Sequence, residues 1–423
     1  LKNVYDVIVI GAGPAGLAAA IEAKKNGAGD VLIIERNDEP GGILLQCIHN
    51  GFGSVIFKKD LPGPAYAWNF IDEAQKAGIE MLFDTMVLDI THDRNIYATS
   101  KAGFSEFKAG AVVLAMGCRE RTRAQIRIPG DRPAGVFTAG MVQRLVNVDG
   151  LMPGKNFVIL GSGDIGMIMA RRLTIEGASV IKVVELMPYL TGLRRNYVQC
   201  LQDFNIPLNL STTINRIIGK KRVEAVETIR VDANMVPVAG TQEMIPCDSL
   251  LLSVGLIPEN ELSKKAGVNI DALTAGPVVD ENMATNVPGI YAAGNVAAIY
   301  DLVDYVTKAG FLAGKNAALF ARGISKPALN FISLKPGKDI RNVMPQKISA
   351  EAQTGGLFPV EMRVTREFHE SAAIEIVEGD KVLLTEKVRY ARPAEMLTTT
   401  VNGRELMAKV NKDTKELIVR ITG

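Results

Sequence analysis

The chain carries one device twice. An apolar strand runs into G-x-G-x-x-G, and a glutamate follows 24 positions after the first glycine, at Gly11 to Glu35 and again at Gly161 to Glu185. The first copy reads Val7-Ile8-Val9-Ile10, Gly11-Ala12-Gly13-Pro14-Ala15-Gly16, a helical stretch through Ala20 and Ala23, then Val31-Leu32-Ile33-Ile34-Glu35. Strand, tight turn, helix and strand is the context that gives each glycine its own task. Gly11 permits the sharp turn, Gly13 lets the backbone approach a pyrophosphate, and Gly16 lets the helix lie close to the sheet. The helix start offers unpaired N–H groups and partial positive charge to phosphates. Glu35 ends the second strand, where a carboxylate can accept hydrogen bonds from an adenosine ribose.

The second copy reads Phe157-Val158-Ile159-Leu160, Gly161-Ser162-Gly163-Asp164-Ile165-Gly166, a helix through Ala170 and Leu173, then Val180 to Glu185. A 2′-phosphate would be repelled by Glu185, so this copy favours NAD(H) over NADP(H), although Arg194 and Arg195 lie only nine and ten residues beyond. The duplication extends further. Ala111 to Gly117 and Ser249 to Gly255 are both apolar strands closing on glycine, 106 and 94 residues after the respective first glycines. Each reads as the last strand of its nucleotide-binding half, or as a buried strand ending in an ordinary turn. Two such halves predict two bound dinucleotides and an α/β fold with two Rossmann-like domains.

Four stretches resemble those of flavoproteins with two dinucleotide-binding domains, of the glutathione-reductase and thioredoxin-reductase architecture. They are Gly11 to Gly16 with Glu35, the Gly41-Gly42 doublet, the Ala115-Met116-Gly117 strand end, and Ala284 to Asn295, reading ATNVPGIYAAGN. The resemblance covers roughly residues 4 to 325 and implies that the two Rossmann-like domains are nested. It implies FAD at the first copy, held by Gly11, Gly13, Pro14, Ala15, Gly16, Glu35 and Arg36. Gly41, Gly42, Val87, Ala115, Met116, Gly117, Gly294 and Asn295 are implied as further FAD contacts. It implies NAD(H) at the second, held by Gly161, Gly163, Asp164, Ile165, Gly166, Glu185 and Gly255. One departure is visible: such chains usually carry Asp where this one has Asn295, and an amide can still make one ribityl bond. The helix from Asp304 to Ala321 is expected to aim its N-terminus at the flavin pyrimidine edge, with Asp301 and Asp304 as N-caps.

Cysteine placement decides the subtype. Disulfide reductases of this architecture place a redox pair after the glycine doublet, at positions that here correspond to Leu44 and His49, or a CxxC in the NAD domain. The four cysteines, Cys47, Cys118, Cys200 and Cys247, form neither, nor a metal-ligand spacing, and no metal is expected. Electrons must leave the flavin by a route other than a dithiol relay. The run Gly42-Ile43-Leu44-Leu45-Gln46-Cys47-Ile48-His49 is implied to open a helix beneath the flavin ring, where Cys47 could cycle through sulfenate and His49 could supply protons. The alternative is a small buried hydrophobe and a backbone-bonded histidine. His92 and His369 read as surface or structural.

A closer resemblance concerns Gly41 to Gly53, Ile128 to Gly140, Gly161 to Leu173, and Asn295 with Asp301 to Tyr305. These are similar to the flavin subunits of multi-subunit dehydrogenases, among them opine oxidase, hydrogen cyanide synthase and sarcosine oxidase, and in particular the NAD/FAD oxidoreductase that accompanies a glycerol-3-phosphate dehydrogenase subunit. The implied activity is hydride exchange between NAD(H) and FAD, the two rings stacked, with a partner dehydrogenase subunit in a hetero-oligomer. Two other functions stay open: an NADH oxidase or peroxidase using Cys47, and a non-catalytic electron-transfer subunit with a structural nucleotide.

The 423 residues suit several domains. The expected division is 1–118 and 257–328 for FAD, 119–256 for NAD(H), and 329–423 for a small C-terminal β domain of short antiparallel strands that docks a partner or caps the fold. A net charge of +2 with no basic run argues against nucleic acid, and apolar stretches are too short to span a membrane. The chain enters its first strand at once, so no secretory leader is expected. A cytoplasmic location, peripheral to a membrane only through a partner, is the expectation.

Overall fold

The computed structural model describes residues 2–350, 356–369 and 371–423. Two compact units emerge, one made of Leu1–Cys118 and Pro258–Gly423, the other of Arg119–Ile257. The first unit is therefore discontinuous in sequence.

In it, β1 (Val4–Ile10), α1 (Pro14–Lys25) and β2 (Val31–Ile34) form the strand, helix and strand expected of the first glycine copy. β1 pairs in parallel with β2 on one side and with the end of β3 (Gly103–Leu114) on the other, so that Val7 lies between Val31 and Ala111. A parallel strand covered on both faces must be apolar throughout, and Val7, Ile8 and Val9 are fully buried. Each such side chain contributes roughly 2 kcal/mol of burial free energy. The strand Glu80–Leu82 extends the sheet past β2, and Ile290–Ala292 pairs with the end of β3. The other half of β3 turns antiparallel to Asn95–Ser100, which pairs with Met86–Ile90 at the sheet edge.

The second unit repeats this plan. Strands β4 (Asn156–Leu160) and β5 (Ser179–Val184) flank helix α2 (Asp164–Ile175) in sequence, and β4 also pairs in parallel with β6 (Ser249–Leu252). β6 thus stands to β4 as β3 stands to β1. Val136–Thr138 and Leu208–Asn209 complete the sheet, and a three-stranded antiparallel sheet, Thr212–Ile218 with Ala225–Arg230 and Glu243–Pro246, is appended to it.

Back in the first unit, α3 (Val303–Ala321) packs along α1. Gly310 and Gly314 are four apart and share one helix face. A Cβ on either would run into the α1 backbone, at the carbonyl oxygens of Ala15 and Ala19 respectively. Backbone contact between these helices is the reason for both glycines.

The C-terminal segment forms a five-stranded sheet and a three-stranded sheet around its own core, which includes Val360, Met362, Val364, Ile374 and Val419. The short strands expected from sequence are present. One pairing departs from the antiparallel expectation: Phe331–Pro336 runs parallel to Glu416–Thr422. Those strands are far apart in sequence, so no hairpin turn constrains their direction. A short helix, Gly403–Lys409, starts where Asn402 accepts the Glu405 N–H. No helix among the described residues is long and apolar enough to cross a membrane.

Candidate functional site: two glycine cradles

The first cradle is built from backbone. A Cβ on Gly16 would collide with the Gly11 carbonyl oxygen, and one on Gly11 would lie 2.5 Å from the Ala115 carbonyl oxygen. The turn closes on itself and on the end of β3. Gly13 is different, because nothing lies within 4 Å of where its Cβ would project. Two other predicted segments close on this turn. Gly41 donates its N–H to the Ala12 carbonyl (2.8 Å), and a Cβ on Gly42 would lie 3.0 Å from Gly13 Cα. Gly294, at φ +74°, brings its Cα so close that a Cβ would sit 2.8 Å from the Ala15 methyl. Pro14 occupies the first turn of α1, where its missing N–H costs nothing.

Glu35 is buried and its carboxylate is already engaged. It accepts the N–H of Ala12 at 2.7 Å on one oxygen and that of Asn37 at 2.9 Å on the other. Each oxygen keeps a lone pair, so the group fixes the glycine turn while remaining an acceptor. The Glu35 carbonyl accepts the Thr85 N–H, which ties the edge strand carrying the buried Val87 to this corner. Arg36 is exposed just beyond β2. Met116 and Gly117 are partly buried past the end of β3, and the Gly117 carbonyl accepts the Glu259 N–H. Open space over Gly13, donors at a helix start and close backbone walls fit a dinucleotide pyrophosphate.

The second cradle has the same plan with more side-chain filling. Gly161 and Gly166 are held against Ser253, at its carbonyl oxygen and its Cβ respectively, and Ser253 Oγ accepts the Gly166 N–H at 3.1 Å. Glu185 Oε2 accepts three hydrogen bonds, from the N–H and hydroxyl of Ser162 (2.7 Å each) and from the Thr191 hydroxyl (2.8 Å), while Oε1 accepts the Met187 N–H. Asp164 accepts the Leu193 N–H and the Asn196 amide. Ile165 packs into the core beneath α2, and Gly255, at φ +96°, has open space around it. Arg194 and Arg195 are exposed at the start of the short helix Arg194–Cys200. Sequence reasoning misses Ser162, Thr191 and Ser253. Ser253 sits within the strand-end motif, whereas Thr191 lies on a loop without a pattern.

The segment after Gly42 is not the start of a long helix. It is a single 3₁₀ turn, Gly42–Gln46, followed by the short strand Asn50–Phe52; the next helix begins at Gly63. Gly41 and Gly42 both have positive φ, which bends the chain sharply before the turn, and Gly51 reverses it soon after. Cys47 ends the 3₁₀ turn, partly exposed, with its thiol directed at the Ile43 carbonyl (3.3 Å). It is not a buried hydrophobe. His49 Nδ1 lies 2.8 Å from the Asn50 carbonyl oxygen and its ring rests 5.1 Å from that of Phe52. Burial pushes the Cys200 and Cys247 thiols up to about 11, which suits structural cysteines. The four cysteines form no disulfide, and His92 and His369 are exposed. No cluster of three metal-ligating side chains occurs among the described residues.

Asn295 uses its side-chain oxygen to accept the Tyr300 N–H at 3.1 Å, and its amide points to Cys118 Sγ at 3.6 Å. Asp301 and Asp304 do not cap α3, whose cap position is Leu302. Asp301 pairs with Arg363 and accepts the Met396 N–H, and the fully buried Asp304 accepts the N–H groups of Gly53 and Ile56. Both carboxylates are drawn from capping by distant chain segments that need an acceptor.

Glu361 meets Tyr300 at this seam, accepting its hydroxyl at 2.9 Å, and burial raises the Glu361 carboxyl from 4.5 to about 7 against the opposing pull of Tyr300 and Lys308. The native state therefore holds this proton more tightly than the unfolded chain. Its stabilisation is complete below about pH 4.5 and is lost as pH rises through about 7. Urea unfolding of Glu361→Gln is expected to lack this slope, the amide gaining on the wild type by on the order of 3 kcal/mol between pH 4.5 and pH 8. Parallel pH profiles for the two proteins would contradict the assignment.

Comparison with known proteins agrees with this architecture. The family model described as pyridine nucleotide-disulphide oxidoreductase matches residues 5–310. An opine oxidase subunit of Agrobacterium tumefaciens is 29% identical over 341 residues, covering 76% of this chain; the chain spans 66% of that protein's length. Thioredoxin reductase of Listeria innocua is 28% identical over 332 residues, covering 77% of this chain and 96% of that enzyme. The crystal structure of T. acidophilum thioredoxin reductase superimposes with a TM-score of 0.64 at 25% identity, covering 77% of this chain and all of that one. Two glycine cradles in one α/β chain, without the cysteine pair of the disulfide reductases, are thus a variation on a shared plan: the chain belongs to the pyridine nucleotide-disulphide oxidoreductase family, whose enzymes use FAD and NAD(P)H.

Proposed function

We propose that this oxidoreductase holds FAD over the Gly11–Gly16 cradle, takes a hydride from NADH held over the Gly161–Gly166 cradle, and passes the electrons to a partner protein. The approach of Gly42 to Gly13, of the Ala115 carbonyl to Gly11 and of Gly294 to Ala15 carries the reading for FAD, since three separate segments close on the glycine turn while the space over Gly13 stays open. In this division of labour, 1–118 with 257–328 serve FAD, 119–256 serve NAD(H), and 329–423 dock the partner. Bound FAD supplies the two-electron chemistry. The chain's part is to cradle phosphates with the N–H groups of two helix starts, to offer acceptors at Glu35 and Glu185, and to bring a polar amide, Asn295, beside Gly294. Glu185 would repel a 2′-phosphate, which favours NADH.

The lack of a cysteine pair in the sequence argues for electron exit to a partner and not to a bound disulfide. Similarity to a protein named as an opine oxidase subunit supports a multi-subunit setting. A glycerol-3-phosphate dehydrogenase partner is the finer form of the proposal, on the resemblance of Asn295 and Asp301 to Tyr305. NADH-dependent reduction of an artificial dye by the purified, FAD-loaded chain tests the activity; glycerol 3-phosphate bleaching the flavin of the complex isolated from native cells tests the partner. No dye reduction, or no response to glycerol 3-phosphate, would refute the respective part.

A second reading rests on the partly exposed Cys47, which the 3₁₀ turn carries away from the core next to Gly42. As a peroxide-reducing thiol it would cycle through sulfenate. Cys47→Ser is expected to leave dye reduction within about twofold, on the ordinary tolerance of a surface substitution. Loss of NADH-dependent peroxide turnover in this variant would move the function to that reading.

A further inference from the structure

Strand β7 (Leu357–Val364) of the C-terminal segment has two unlike faces. Val360, Met362 and Val364 are fully buried in the C-terminal core, so the alternate positions Glu361 and Arg363 project to the opposite side. There they meet the segment that joins Asn295 to α3. The Arg363 guanidinium pairs with Asp301 and donates to the carbonyls of Ile299 (3.1 Å) and Ala394 (2.9 Å). Glu361 accepts the Tyr300 hydroxyl, and Tyr300 donates its N–H to Asn295 Oδ1. Three consecutive residues, Ile299, Tyr300 and Asp301, are thereby gripped from one strand, and the grip is continuous with the Asn295 amide. Asp301 and Arg363 side chains are 15% and 13% exposed, so the pair is shielded from solvent. An arginine serving a carboxylate and two carbonyls at once uses the planar fork that lysine lacks.

We propose that Glu361 and Arg363 are positioning residues, which act through Tyr300 and Asp301 to fix the orientation of the Asn295 amide and of the first turn of α3 toward the FAD site. The proposal rests on the reading of the Gly11–Gly16 cradle as that site. The C-terminal segment then has a role in tuning the flavin beyond any docking. An unfixed Asn295 amide can turn, and the N-terminus of α3 can shift, changing how the oxidised and reduced flavins are held.

The test uses the full chain with Arg363→Met, Arg363→Lys and Tyr300→Phe. Hydrogen exchange on the flavin-free proteins reads the segment directly. Arg363→Met is expected to speed exchange at Tyr300 and Tyr305 at least tenfold, with Arg363→Lys intermediate. On the FAD-loaded proteins the flavin midpoint potential is expected to move in Arg363→Met by about 30 mV, a tenfold change in relative affinity for the two redox forms of a two-electron couple. The shift should be partly restored in Arg363→Lys. If Arg363→Met fails to fold, Tyr300→Phe, which deletes one hydroxyl, is read in the same two ways. Exchange and potential at wild-type values, with only the unfolding midpoint lowered, would overturn the proposal. Should the wild-type chain hold no FAD, the cofactor reading falls by itself, and the exchange arm alone decides whether the grip exists.

Discussion

Gly13→Glu is expected to give a folded protein without flavin. Gly13 precedes α1 with φ −74° and ψ −177°, extended backbone open to any residue, and nothing lies within 4 Å of its Cβ direction. The substitution therefore leaves the packing of α1 on the sheet intact. What it changes is the space over the helix start, which gains a carboxylate where a pyrophosphate would approach. Steric exclusion and like-charge repulsion together should weaken FAD binding at least 100-fold, about 3 kcal/mol. Flavin content after gel filtration, beside the thermal unfolding midpoint of the flavin-free protein, reads both halves of this result. Gly16→Ala is the contrast. Its Cβ would collide with the Gly11 carbonyl, so it should lower stability as well as flavin content. A Gly13→Glu protein that keeps full FAD would show that the cradle holds something else.

Gly163→Glu should separate the two cradles. Gly163 also has extended backbone, with φ −63° and ψ 160°, and its nearest neighbour for a Cβ is Ser253 Oγ at 3.2 Å. That hydroxyl must give by a few tenths of an ångström, a small cost beside the loss of the phosphate approach. The variant is expected to keep its FAD, to be reduced normally by dithionite, and to lose reduction by NADH by at least about 100-fold at fixed NADH concentration. Equal loss of FAD in this variant would mean that the cradles are not independent.

The fold class is visible in the sequence because its signals are local. A glycine that must lie against a carbonyl oxygen, as Gly11 and Gly16 do, cannot be replaced within its turn, and an apolar run as pure as Val7 to Ile10 has few uses besides a buried parallel strand. The convergence of Gly42 and Gly294 on the first turn is legible only through resemblance, since no periodicity links positions so far apart. Asp301 and Asp304 show the opposite case. An aspartate at the start of a helix looks the same in sequence whether it caps that helix or, as Asp301 and Asp304 do, serves Arg363 or the Gly53 loop. Thr191 on Glu185, Ser253 on Gly166 and Glu361 on Tyr300 are hidden for the same reason: each is a single side chain whose partner is set by tertiary packing. The helix after Gly42 is implied by resemblance alone, and the paired positive φ at Gly41 and Gly42 bends the chain into a single 3₁₀ turn, Gly42–Gln46, instead.

One chain should both bind FAD and reduce it with NADH. Anaerobic stopped-flow mixing of the FAD-loaded protein with NADH tests it most directly. The oxidised flavin band should bleach in a single mixing experiment, faster with NADH than with NADPH at equal concentration. A flavin that stays oxidised with both nucleotides, while dithionite still reduces it, would contradict the account.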